Sequence, residues 1–199
     1  MYEPEESDES TSPAMRRVFD ELEAGFEAGL RREAEQETLA AVRAEVGATV
    51  LWEQLARRID SDTTVFAGAR AFRGSVVASY PEFLVLRAAD GSEHLIPYGP
   101  AVSVAMPAEP PTLRPAPAAA ARRYQFALAL RELARRREPV RVELVDGTSC
   151  DGTIESVGSD FLEVAEHDLG EARRRAAVRA RRFVGFAAVV AVTLPPGRR

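Results

Sequence analysis

The chain has 199 residues, 46% of them hydrophobic, which is room for one ordinary domain or two small ones with a normal globular composition. No apolar run is long enough to span a bilayer, and the single cysteine cannot form an internal disulfide. The net charge of −5 is unevenly spread: 13 acids against 5 Arg over residues 1–45, 7 against 6 over 46–120, and 11 against 15 over 121–199. An acidic head and a mildly basic final section therefore offer different surfaces to partners. All the basic residues are Arg, the mark of a GC-rich coding bias.

Residues 1–13 are acidic and have almost nothing apolar to bury, so they are expected to be disordered. The acidic start is the opposite of a signal peptide's basic region, and with the lone Cys150 it leads to the expectation of a cytoplasmic protein. Over 14–46 the spacing predicts an amphipathic helix with Phe19, Leu22, Phe26 and Leu30 on one stripe. That stripe needs a cover, either the rest of this chain or another chain; on the second reading these four residues are a protein-interaction surface.

Residues 47–59 continue or restart a helix, with Leu51, Leu55 and Ile59 on one face. Five short strands are expected next, to about residue 106, with breaks at Gly68, Gly74, 80–81, 90–91 and 98–100. Residues 107–121, rich in Pro and Ala, read as a semi-stiff linker whose end merges into the next helix, where Phe126, Leu130 and Leu133 step by four and three. Five more strands are expected within 122–194, ending near Val192, and 195–199 form a tail.

The second half repeats the first. Leu55 answers to Leu133 and Gly74 to Gly152, both 78 residues apart. Leu95 then answers to Phe183 and Val104 to Val192, both at 88. The second copy thus carries an Arg-rich insertion, placed at 166–182. Gly74 and Gly152 are expected where the first strand of each copy bends into the second, where a β-carbon would crowd the curve.

The stretch 142–164, "VELVDGTSCDGTIESVGSDFLEV", resembles the first motif of Sm and Sm-like proteins: an alternating strand, a turn, a central Gly, an apolar strand and a loop. The whole chain resembles uncharacterised actinobacterial tandem Sm-like proteins, some of them labelled Fis-type transcriptional regulators. The resemblance implies a mainly β fold of two small, bent five-stranded barrels (47–106 and 122–194), each preceded by a helix. The family's base-reading residues do not carry over. Its Asp position is Tyr80 in one copy and Gly158 in the other, and its Asn position is Leu84 and Leu162. Its Arg-Gly pair is replaced by Pro97, Tyr98 and Gly99 in one copy and by Val184 and Gly185 in the other. A Leu cannot supply the amide that reads a base edge.

No catalytic, cofactor or metal motif is found. His94 and His167 stand alone in sequence, and Ser149 and Cys150 have no nearby base. Glu166, His167 and Asp168 read as a solvated turn. An enzyme is not expected. Two functional readings follow. The first is a non-catalytic interaction or regulatory protein that binds an unidentified protein or itself through exposed strand edges, lined by Val102, Val104, Val189, Val190 and Val192. Two copies in one chain would satisfy one such edge internally. The second is a nucleic-acid-binding regulator using Arg173, Arg174, Arg175, Arg179, Arg181 and Arg182 on phosphates, without a base pocket and without sequence preference. That stretch has no aromatic residue to stack a base, and its bland alternative is a solvated loop.

Overall fold

The computed structural model describes residues 47, 49–99, 102–108, 114–115, 117–169 and 178–196. The 1–13 stretch, the helix expected over 14–46 with Phe19, Leu22, Phe26 and Leu30, and Arg173, Arg174 and Arg175 lie outside the described residues. The chain divides into two units, Met1–Thr49 and Val50–Arg199, and the second carries every strand described.

That unit is a helix and five strands, written twice. Helix α1 is Leu51–Ala56, and strands β1 (Asp62–Ala67), β2 (Arg70–Ser79), β3 (Phe83–Arg87), β4 (Glu93–Pro97) and β5 (Val102–Ala105) follow. A 3-10 turn at Ala119–Arg123 leads to helix α2 (Phe126–Arg136). Strands β6 (Pro139–Leu144), β7 (Ser149–Val157), β8 (Phe161–Glu166), β9 (Ala180–Gly185) and β10 (Val189–Leu194) complete the second copy.

Local chemistry explains the elements. In α2, Phe126 and Leu130 are one turn apart and both buried, while Arg135 and Arg136 in the last turn suit the negative end of the helix. The helix stops because Arg137 adopts a left-handed conformation (φ 54°) and the Glu138 N–H donates back to the Leu133 carbonyl. The β-branched and aromatic strands alternate: in β1, Thr63, Val65 and Ala67 face inward while Asp62 and Phe66 face out. The β3–β4 and β6–β7 turns are the same device. Asp90 Oδ1 accepts the Ser92 N–H at 2.9 Å and Asp146 Oδ1 accepts the Thr148 N–H at 2.9 Å, each across a glycine at positive φ.

The duplication extends to backbone detail. A β-carbon on Gly74 would lie 2.1 Å from the Arg87 carbonyl oxygen, and one on Gly152 would lie 2.0 Å from that of Ala165. Arg87 and Ala165 are themselves repeat equivalents, 78 apart. The ladder shifts register between Val76 and Ala78 in one copy, and between Ile154 and Ser156 in the other. Such a bulge bends a strand sharply, and each copy carries it at the same place.

The strands form one ten-stranded antiparallel sheet in the order β5-β1-β2-β3-β4-β10-β6-β7-β8-β9. Two separate closed barrels are therefore not what the chain builds. The copies share a sheet because β4, at the end of the first, pairs with β10 of the second: Leu95 faces Val192, His94 faces Thr193 and Glu93 faces Leu194. The cores interlock in the same way. The second copy's core includes Phe83 and Leu95 of the first, and the first copy's core includes Val190 and Ala191 of the second.

Other expectations are corrected too. Helix α1 is shorter than 47–59, because the chain turns after Ala56 and reaches positive φ at Asp60. Gly74 and Gly152 are no breaks or bends between strands; they lie inside β2 and β7, opposite Thr63 and Val140. The linker's end does not run into α2, since Gln125 is extended and separates the 3-10 turn from the helix. Val189, Val190 and Val192 line no open edge, because β10 has neighbours on both sides and all three are buried.

Candidate functional site

The arginines singled out in the sequence are engaged where they are described. Arg179 pairs with Asp168 at 2.8 Å, Arg181 with Glu163 at 3.1 Å, and Arg182 with Glu166. Arg181 and Arg182 belong to strand β9, so the insertion ends before them. The pairing has a simple origin: β9 lies beside β8, which places Arg182 across from Val164 and Arg181 across from Ala165, next to the β8 acids. Elsewhere Arg135 and Arg136 share Glu132, whose carboxyl their hydrogen bonds hold down at about 2. Arg122 pairs with Glu53 and lies over the Trp52 ring.

His167 is not in a solvated turn. It is 1% exposed, with Nδ1 3.0 Å from the Asp168 carbonyl oxygen and Nε2 3.4 Å from Thr153 Oγ1. A carbonyl only accepts, so Nδ1 donates to it, and Nε2 lies within reach of the threonine hydroxyl. This is a satisfied core histidine. Burial pushes the Cys150 thiol up to about 11, far from the thiolate a nucleophile needs. Among the described residues, no group of three His, Cys, Asp or Glu side chains is placed to hold a metal ion. No helix among them is long and apolar enough to cross a membrane.

The positions that the resemblance would assign to base reading are packed into the fold. Leu84 and Leu162 are fully buried. Tyr80 stacks between Phe83 and Tyr124, with ring centroids 5.0 and 4.9 Å away. Gly158 is pressed against Phe161, whose ring a β-carbon there would strike.

A cleft of about 500 Å³ lies where the copies meet, walled by Tyr98, Phe126, Phe186, Val189 and Val190. Its one carboxylate, Glu82, accepts the Phe126 N–H at 2.8 Å. A residue of the first copy thus caps the helix of the second. Burial raises the Tyr98 hydroxyl to about 12, although its hydrogen bond with Ser79 at 2.8 Å works the other way. Of these contacts, the one from Phe126 to Glu82 joins the copies, while Tyr98 and Ser79 both belong to the first.

The two ends of the sheet are strands with a single partner among the described residues: β5 pairs with β1, and β9 with β8. Along β5, Ser103 and Ala105 are exposed while Val102 and Val104 are half-buried. On β9, Phe183 is 67% exposed, although its ring lies 5.7 Å from that of Phe161. An edge of this kind presents a row of backbone donors and acceptors to any strand that can align with it. Sequence reasoning placed Val102 and Val104 on such an edge and missed Phe183, hidden within a run of arginines. No family model matches the chain, and neither the curated proteins nor the solved structures contain a match to it.

Proposed function

We propose that this chain is a non-catalytic interaction protein of the cytoplasm, regulatory or structural in role, built from two Sm-like copies and acting by strand addition at its two open edges. The observation that carries the reading is the unequal fate of two pairs of equivalent strands. Strands β4 and β10 are paired on both sides, whereas β9 and β5, their respective counterparts in the repeat, have one neighbour each among the described residues. The repeated helix and five strands, with the same bulge and the same glycine contact, support the Sm-like assignment. The nucleic-acid reading has less support, since Arg179, Arg181 and Arg182 each already face a carboxylate.

The test is capture from native lysate on immobilised full-length chain, with and without nuclease, alongside Ser103→Arg and Phe183→Arg variants that block one edge each. Capture that survives nuclease and is lost with either variant supports edge binding. Capture abolished by nuclease and indifferent to both variants restores the nucleic-acid reading.

A further inference from the structure

We propose that the cleft where the two copies meet binds a small quaternary ammonium compound with an apolar tail. Such a site does not depend on strand addition at the sheet edges.

The cleft is built from one turn used twice. The Tyr98 N–H donates to the Glu82 carbonyl at 2.8 Å, and the Phe186 N–H donates to the Asp160 carbonyl at 2.7 Å. Tyr98 and Phe186 are repeat equivalents, 88 apart, and Glu82 and Asp160 are equivalents, 78 apart. Where the copies join, both aromatic residues line one cleft, together with Phe126 of α2. The Phe126 and Phe186 rings lie 5.7 Å apart at 78°, so they form a corner rather than a stack. Tyr98 is anchored at its tip by Ser79, 2.8 Å away. Of the two acids, Glu82 lines the cleft and Asp160 does not.

Three aromatic rings and one carboxylate define what fits. The face of an aromatic ring is electronegative and attracts a cation. Glu82 adds a carboxylate, held in place because its Oε2 accepts the N–H of Phe126, whose ring forms one wall. No arginine lines the cleft among the described residues, although the chain has 26 basic residues. An anion would therefore find no charged partner there. A primary ammonium loses water that only acceptors can replace, and the lining side chains offer Glu82 and a Tyr98 tip that Ser79 already engages. A quaternary ammonium spreads its charge over methyl groups, needs no hydrogen bond and suits ring faces.

The volume of about 500 Å³ is that of a site for a whole small molecule. The rest of the wall is aliphatic, with Val102, Val189 and Val190. Val145, also in the lining, is 61% exposed. An apolar tail on the ammonium would cover these side chains.

The experiment is isothermal titration calorimetry of the full-length chain with hexyltrimethylammonium, compared with tetramethylammonium and hexyl sulfate. Hexyltrimethylammonium should bind one to one. Tetramethylammonium, which lacks the tail, should bind more weakly by about tenfold or more. Hexyl sulfate, with the same tail and the opposite charge, should not bind. Glu82→Gln removes the charge but keeps an oxygen for the Phe126 N–H, and should weaken hexyltrimethylammonium binding about tenfold. Phe186→Leu keeps apolar bulk but removes one ring, and should weaken it about fivefold. Melting curves check that both variants fold; if Phe186→Leu melts early, Glu82→Gln decides alone.

A wild type that does not bind hexyltrimethylammonium overturns the proposal. Hexyl sulfate bound as tightly overturns it too, by showing an apolar slot that does not read charge. So does an affinity that Glu82→Gln leaves unchanged, because the ammonium head then lies elsewhere.

Discussion

Replacing Gly152 by alanine should cost far more than a methyl group usually does. The new β-carbon would sit 2.0 Å from the carbonyl oxygen and 2.8 Å from the carbonyl carbon of Ala165. Both are backbone atoms of β8, so no side chain can swing aside. To reach ordinary contact, β7 must move from β8 by more than an ångström beside the pair Thr153–Ala165. That movement overpacks the core, at about 1–3 kcal/mol, and strains at least one ladder hydrogen bond, worth about 1 kcal/mol. A loss of about 3 kcal/mol is expected, which for a chain of this size lowers the melting temperature by roughly 6–12 °C. Gly74→Ala, facing the Arg87 carbonyl at 2.1 Å, should behave alike. Gly99→Ala is the control, because nothing lies within 4 Å of its β-carbon. Urea and thermal unfolding followed by circular dichroism measure all three. If Gly152→Ala melts together with Gly99→Ala, the close strand approach is wrong.

Glu82→Ala should lose about 1 kcal/mol by uncapping α2, and Glu82→Gln, which keeps an acceptor oxygen, should lose less; equal losses in urea melts would show that the Phe126 N–H contact contributes nothing. His94 is held below its ordinary 6.5 by burial, against the pull of Glu143 and Asp90. The folded state thus binds this proton more weakly than the unfolded one, so its contribution is complete above 6.5 and is lost as the pH falls from there through the lower folded-state value. His94→Gln should flatten this part of the stability profile, and an identical slope in both proteins would contradict the assignment.

The repeat made much of this fold readable before any coordinates. Glycines at 74 and 152 and apolar pairs at matching offsets are local signals, imposed by close backbone approach and by the period of a strand, and they fixed the number and order of the elements. The joint between β4 and β10 was less legible. Which strands hydrogen-bond is settled by the whole sheet, and nothing in "EHLIP" names "VVAVTL" as its neighbour. His167 was misread because Glu166 and Asp168 beside it are polar, while the partner that lets it be buried, Thr153, comes from another strand. Arg181 and Arg182 looked like part of a solvated loop for the same reason: the carboxylates that hold them lie on β8, 16 to 18 residues away.

Hydrogen exchange of the full-length chain, read by mass spectrometry, tests most directly the claim that one joint is built in and its two counterparts lie open. Amides of β4 and β10 should be protected, whereas those on the outer sides of β5 and β9 should exchange fast. Edges as protected as the β4–β10 joint, or a joint as unprotected as the edges, would contradict the account.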